Sequence, residues 1–542
     1  MKKVYSLLLS DSKSEQDLPI KDQANNSDSD DDKSSITTEE DVPELLSSYN
    51  VEEDAMPEAP FFTNILVYTH YLIMISFALL TSWLRNYGIF RIKYSEELET
   101  QKDFVSLDNK FETLFINSIY RMASDVVNRP IVSVPSTRML VQNRITHDYG
   151  WTYESNGVRE VLNMGSYNYL GFSNNSGICA ESAVDSISKY GLAIGSTKHE
   201  FGNHILQREM ENQVADFLGV DSAITFPMGF GTNSMNISAF VNDDCLVISD
   251  ALNHSSICLG CKNSNTSIKR FKHNDAANLE KVIRKALSSG NQKKNGAKFK
   301  KILIIVEGIY SMEGTIVDLP RILEVKKKYK AYLFLDEAHS VGAMGPNGRG
   351  VVDYWGLNPK DIDIMMGTLT KSFAAAGGYI AGSKKTIDFL KANGVGSCYG
   401  AVYSPPVVAQ IQSSLGIISG SDGTTIGRDK IKSLLRNSRY FRLRLKQMGF
   451  HVCGSHDSPV IPLMTYYISK VVAFGRESFE HNLGVVSVGY PATPLTKART
   501  RFCMCADHTQ EDLDEALEVI DRVGDITGTK YGKADYSTKI VY

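Results

Sequence analysis

From Trp151 onward the sequence predicts an α/β fold built on an open, mainly parallel sheet. Short apolar runs alternate with longer stretches of helical periodicity and end in polar, Gly-rich turns. Three of these runs finish at reactive side chains: 302–306 before Glu307-Gly308, 332–335 before Asp336-Glu337, and 362–366 (interrupted by Asp363) before Gly367-Thr368. Buried strands with chemistry at their carboxyl ends are what an open α/β sheet produces.

The bulk numbers agree. A chain of 542 residues, 42% hydrophobic and 22% charged, is long enough for a large buried core. Its net charge of -4 gives no electrostatic reason to expect nucleic acid as a partner. Eight cysteines in this length are too few for a disulfide scaffold and point to a reducing compartment.

Residues 1–57 are rich in Ser, Asp, Glu and Asn, with acids at Asp28, Asp30, Asp31 and Asp32, and read as a disordered solvated tail. Residues 62–84 then carry no Asp, Glu, Lys or Arg and reach the length of a membrane span. Tyr68, Tyr71 and Trp83 suit the interfaces, whereas Asn64, Thr69 and His70 are polar enough for a helix lying in the interface plane. Spanning, interfacial and buried soluble helices all remain open on composition. The late start and missing basic n-region exclude a secretory signal. Arg85, Arg91 and Lys93 on the far side place the C-terminal body in the cytosol. The basic stretch 288–301 reads as a surface loop, as does GPNGRG at 345–350, and the last ~130 residues carry a fresh αβ pattern of their own.

Four features together match what pyridoxal 5'-phosphate (PLP) requires: an imine-forming lysine, a carboxylate at the pyridine nitrogen, a phosphate cradle and a group on the ring face. Lys371 sits among small and hydroxylic neighbours in GTLTKSFAAAGG, where burial lowers an amine's pKa. Asp336 ends an apolar strand and His339 follows three residues later. Gly229 and Phe230 open a helical pattern after residues 223–226, placing backbone amides for a phosphate. His254 follows a second strand in DALNHSS, positioned to stack on a ring. The Asp-Glu-Ala-His run lacks the two-His helical spacing of a metalloprotease. Cys258 and Cys261 have no second pair at zinc-ribbon distance, so no metal site is expected, and Cys503-Met504-Cys505 reads as a core strand.

The stretches LNMGSYNYLGF (162–172), MGFGTNSMNI (228–237), VEGIYSMEG (306–314), LDEAHSVGAMGPNGRGVV (335–352), MMGTLTKSF (365–373) and PATPLTKARTRFC (491–503) resemble, in order, the α-oxoamine synthase family of fold-type-I PLP enzymes. The resemblance covers 129–531 and is strongest to the eukaryotic branch that makes long-chain bases. It implies an aspartate-aminotransferase-like large PLP-binding domain over 151–410 and a smaller C-terminal α+β domain over 411–531. An arm over 95–150 would precede them and a tail over 532–542 follow.

It also implies Lys371 as the Schiff-base lysine, Asp336 at the pyridinium, His339 near the phenolic oxygen and His254 on the ring face. Ser311 would line the cofactor pocket, Thr368 and the amides of Gly229 and Phe230 would bind phosphate, and Arg501 would pair with the amino-acid carboxylate. The implied reaction is a decarboxylative condensation of L-serine with a long-chain acyl-CoA to 3-ketosphinganine, the first step of sphingolipid synthesis, at the endoplasmic reticulum membrane. A glycine- or alanine-using synthase and a non-catalytic scaffold subunit are the rival readings.

One place departs from the family pattern. A Ser or Thr shortly before a Pro normally reaches the neighbouring subunit's phosphate; here the region reads Gly400-Ala-Val-Tyr-Ser-Pro-Pro, with only Ser404 close to the prolines. This implies a heterodimer with a homologous subunit that lacks the lysine.

Overall fold

The computed structural model describes residues 57–87, 89, 98–101, 103–105, 110–148 and 150–542. The acidic tail through residue 56, together with Arg91 and Lys93, lies outside these residues.

Thirteen strands occur among the described residues. The N-terminal pair is β1 (Arg138–Ile145) and β2 (Glu154–Asn163). Seven strands then build the central sheet: β3 (Ser222–Phe226), β4 (Cys245–Asp250), β5 (Ser267–Phe271), β6 (Lys301–Glu307), β7 (Tyr332–Asp336), β8 (Ile364–Thr368) and β9 (Gly378–Gly382). Their spatial order is β3-β9-β8-β7-β6-β4-β5. Strands β5, β4, β6, β7 and β8 pair in parallel, while β9 is antiparallel to both β8 and β3.

Successive side chains of a strand point to opposite faces. Leu246, Ile248, Ile304, Val306, Leu333 and Leu335 accordingly enter one apolar cluster, and Val247, Leu303, Ile305 and Phe334 enter the other. A sheet covered on both faces needs unbroken apolar runs, as the sequence has. The inner strands β4, β6, β7 and β8 each bury several apolar groups, at roughly 1.5–3 kcal/mol apiece, so the sheet is a rigid platform for what its ends carry.

Three expectations need correction. The run read as 362–366 is offset by two residues, because Asp363 caps the neighbouring strand instead of pairing within one. Its Oδ2 accepts from the Leu333 backbone N–H at 2.8 Å and pairs with Lys326 Nζ at 2.8 Å. The stretch 288–301 is not a plain loop. Its first residues finish helix Ala276–Ser289, a short turn follows at Gln292–Lys294, and Asn291 is buried, donating to Asp243 O at 2.7 Å. The 410/411 boundary falls inside a continuous helix, Pro405–Ser419, started by prolines in its first turn and ended at Gly420 in the left-handed region.

C-terminal to this helix, β10 (Val460–Tyr466), β12 (Val486–Val488) and β13 (Ala498–Cys503) form a second sheet in the order β10-β13-β12. Strand β11 (Leu483–Gly484) joins β2 in parallel, so the N-terminal hairpin shares a sheet with a C-terminal segment. Cys503 ends β13, and Met504 and Cys505 remain buried just beyond it.

The apolar N-terminal segment is a helix, Phe61–Asn86. Val67 and Tyr71, one turn apart, are buried against Cys453, Met464 and Tyr466. Phe62, Ile65, Leu66, Leu72, Ile73, Phe77 and Leu80 are exposed.

Candidate active site

Every sequence-selected residue near the sheet lies just past a strand's carboxyl end. Gly229 and Phe230 follow β3, His254 follows β4, Ser311 follows β6, Asp336 ends β7 with His339 after it, and Thr368 ends β8 with Lys371 after it. Because β9 is antiparallel to both β3 and β8, β3 points the same way as the parallel strands, and all these ends share one edge. Arg501 comes from the second sheet, on β13.

Tyr167 ties the two sheets together. Lys371 Nζ lies 5.4 Å from its ring centroid, Arg501 Cζ 4.7 Å from the same centroid, and the His339 ring 5.2 Å away, edge-on. Arg501 is buried, its Nη1 donates to Ser311 O at 3.3 Å, and its Nε has no partner within the protein. No carboxylate pairs with it among the described residues. Arg499, two positions earlier on the same strand face, is instead paired with Glu313 at 3.3 Å. A buried guanidinium with no acid from its own chain is suited to pair with a carboxylate.

Two features lie where the sequence expects a phosphate to be held. Gly229 begins a short helix, whose first-turn amides have no partner within the helix. A Cβ at Gly229 would stand 2.8 Å from Thr368 Oγ1, so only glycine leaves the gap between this backbone and that hydroxyl open. The Phe230 ring meets His254 at 6.0 Å between centroids.

The electrostatics follow from burial. Loss of solvent pushes the Lys371 amine down to about 8, opposed by the charges of Asp336 and Glu307 and reinforced by Arg501. Burial raises the Asp336 carboxyl, and hydrogen bonds from Asn233 Nδ2 (2.8 Å) and the Ala338 N–H (2.9 Å) pull it back. Burial drives His339 well below the usual imidazole range, with Lys371, Arg501 and His254 adding to the effect. His254 is lowered for the same first reason, although its ring is partly open to solvent.

The Lys371 shift yields a prediction with a definite sign. In cofactor-free enzyme, the rate of forming a borohydride-trappable PLP linkage should rise about ten-fold per pH unit up to about pH 8 and level off above it, because only the neutral amine attacks. A rise continuing to pH 10.5 would mean that this amine is not enclosed.

Sequence reasoning assigned no role to five residues of this region. Tyr167 bridges Lys371 and Arg501. Tyr169, fully buried, places its hydroxyl 2.7 Å from His339 Nδ1. Glu307 pairs in register with Asp336 and accepts the His254 backbone N–H; burial, then the charge of Asp336, raises its carboxyl well above the usual range. Asn233 and Ser256 join Asp336 to His254. Tyr167, Tyr169, Asn233 and Glu307 lie inside motifs already singled out, but which side chains they touch depends on strand order.

The sequence profile of the aminotransferase class I and II family matches residues 159–520. The chain is 52% identical over 492 residues to serine palmitoyltransferase 3 of Caenorhabditis elegans, spanning 91% of this chain and 95% of that protein. It is 46% identical over 488 residues to serine palmitoyltransferase 3 of Homo sapiens, spanning 90% and 88%. The solved structure of the Sphingomonas wittichii serine palmitoyltransferase is similar at a TM-score of 0.69 and 26% identity, over 78% of this chain and 99% of that one. A high-resolution structure of SPT with a PLP internal aldimine is similar at a TM-score of 0.65 and 27% identity, over 74% and 93%.

Proposed function

We infer the function from the chain's family: it belongs to the serine palmitoyltransferases, within the class I and II aminotransferase family. It is a PLP-dependent acyltransferase that condenses L-serine with palmitoyl-CoA, releasing CO2 and CoA and giving 3-ketosphinganine. The observation that carries this reading is the buried, acid-free Arg501 that shares the Tyr167 ring with Lys371, a carboxylate site beside an amine lowered to about 8.

Bound PLP supplies an aldehyde carbon that amines add to and a pyridinium ring that takes up the electron pair released at the amino acid's Cα. Lys371 would hold it through the aldehyde, with Thr368 and the Gly229 and Phe230 amides at its phosphate and Ser311 lining the pocket. Asp336, an acceptor-only carboxylate when ionised, would keep the pyridine nitrogen protonated; His339 would face the phenolic oxygen and His254 the ring. Arg501 fixes the serine carboxylate and thereby orients the Cα bonds. The neutral Lys371 amine removes the Cα proton, acting as the base that its lowered pKa permits. Lys371, now protonated, returns a proton to Cα after the acyl group has been joined and the carboxylate lost. Burial of Asp336 and His339, with Lys371 half-buried beside them, strengthens each of these electrostatic contacts.

A substrate panel tests the reading. The purified enzyme should turn over serine with palmitoyl-CoA, and glycine and alanine far less well. Preference for glycine or alanine would make it another synthase of the wider family, and no turnover with any of them would make it a scaffold subunit.

We propose further that the enzyme works as a heterodimer with a homologous subunit lacking the lysine. Tyr403 donates its hydroxyl to Phe226 O and Ser404 donates to Leu192 O, so both hydroxyls near the proline pair are turned into their own chain, and Ala401 and Val402 have none. A second copy therefore receives no hydroxyl from this segment. One PLP per chain in an active homodimer would overturn this.

The N-terminal helix supports a membrane anchor that lies in the interface plane. One stripe of it packs on the protein body, so that stripe is not available to lipid, while the opposite face is a row of exposed apolar groups. Location at the endoplasmic reticulum with the catalytic part in the cytosol fits eight unpaired cysteines. Leu72→Asp with Phe77→Asp, in the chain expressed without a partner, should shift it from the membrane pellet to the soluble fraction. Unchanged pelleting would place the anchor elsewhere.

A further inference from the structure

We propose that Asn233 is a positioning residue that locks the carboxylate facing the ring edge to the imidazole facing the ring plane, so that the two act on the cofactor as one unit. The inference deepens the reading above and rests on it.

The three groups come from separate parts of the chain. Asp336 ends β7, Asn233 sits in the short helix Gly229–Ser234, and His254 with Ser256 starts the helix Ser255–Lys262. Asn233 is 2% exposed and Ser256 2%, so neither is a surface bystander. Asn233 Nδ2 donates to Asp336 Oδ2 at 2.8 Å and to Ser256 Oγ at 3.1 Å. That uses both amide protons. Ser256 Oγ, already accepting from Asn233, stands 2.8 Å from His254 Nδ1, and the Ser256 backbone N–H also points at Nδ1 at 3.3 Å.

These directions leave one consistent arrangement. A backbone N–H can only donate, so His254 Nδ1 is an acceptor and carries no proton. The Ser256 hydroxyl proton then goes to the same nitrogen, and the neutral imidazole bears its hydrogen on Nε2. An ionised carboxylate can only accept, which fixes the amide NH2 of Asn233 toward Asp336 and turns Oδ1 away. Oδ1 is buried without a partner, so the amide keeps this orientation despite leaving an acceptor unpaired. The chain Asp336–Asn233–Ser256–His254 therefore sets both the tautomer of the imidazole and its distance from the carboxylate. Loss of Asn233 uncouples the Ser256 hydroxyl and His254 from Asp336, while Asp336 stays anchored by the Ala338 N–H and His254 Nδ1 keeps only its local contacts to Ser256.

Visible circular dichroism of the PLP-loaded enzyme reports how the bound ring is held, and steady-state kinetics separate positioning from substrate binding. Asn233→Ala should lower kcat about ten- to a hundred-fold and alter the visible dichroism, with the serine KM changed less than about three-fold. Asn233→Asp, which keeps the size but sets a carboxylate against Asp336, should be worse than Asn233→Ala; a merely space-filling role predicts the reverse. Ser256→Ala should move the dichroism in the same direction, and the Asn233→Ala/Ser256→Ala double variant should lose no more than the larger single one.

Independent, additive losses, or Asn233→Asp milder than Asn233→Ala, would overturn the proposal while leaving the synthase assignment standing. If Asn233→Ala fails to load PLP, Ser256→Ala decides alone: unchanged dichroism and kcat there would also overturn it. Failure of the function reading itself would show separately, as wild-type enzyme without serine-dependent turnover.

Discussion

Lys371→Ala should abolish serine-dependent condensation while leaving a folded, membrane-associated chain. Two contributions disappear together. The substitution removes the amine that would hold PLP, and it removes the base at Cα. A positioned general base alone is worth on the order of 10²–10⁴-fold, so the fall should reach at least that range. No other lysine is close enough to substitute: among the described residues, only Lys371 combines contact with Tyr167 and coupling to Asp336, Glu307 and Arg501. The fold should survive, because Lys371 makes no ion pair among the described residues and its strand is held by register with β7 and β9. The loop bearing it is fixed independently, by Ser372 Oγ donating to Val341 O at 2.8 Å. Turnover within ten-fold of wild type would move the chemistry to a different lysine.

Arg501→Ala should raise the serine KM steeply and leave PLP bound. Truncating one partner of a buried, hydrogen-bonded charge pair costs about 2–5 kcal/mol, which is roughly thirty-fold to several thousand-fold in apparent affinity. Palmitoyl-CoA dependence should change much less, since the guanidinium is assigned to the amino-acid carboxylate. Arg501→Lys should recover only part of the loss, because an ammonium cannot present the planar fork that matches a carboxylate. Arg499 is the natural control. It already has Glu313 as its partner and also donates to Met312 O at 2.7 Å, so its loss should act on stability before serine binding. Equal serine KM values for wild type and Arg501→Ala would remove the carboxylate assignment.

The two variants separate the reaction's halves because Tyr167 holds Lys371 and Arg501 on a single ring. Much of this was readable in the chain. Lys371, Asp336 and His254 each follow an apolar run, and a strand's end is where an α/β sheet presents reactive groups. Residues placed by long-range pairing were harder to see. Asn233 lies 103 positions before Asp336 and meets it only because β3 and β7 present their carboxyl ends on one edge. Tyr169 reaches His339 across 170 positions. Neither distance has a local signature, since periodicity reports a face and says nothing about which distant face it meets. Strand β9 lacks a local signature for a different reason: GYIAG has two glycines in five residues, a composition that weakens strand propensity, and it becomes a strand by insertion between β8 and β3. The 410/411 boundary implied by the resemblance cuts a helix, 405–419, that prolines in its first turn start.

The most direct test of the account is to reduce the PLP-loaded enzyme with borohydride, digest it, and identify by mass spectrometry the peptide carrying the reduced cofactor. The account predicts a single modified residue, Lys371 within residues 365–373. Modification at any other lysine, or a protein that carries no reducible PLP at all, would contradict it.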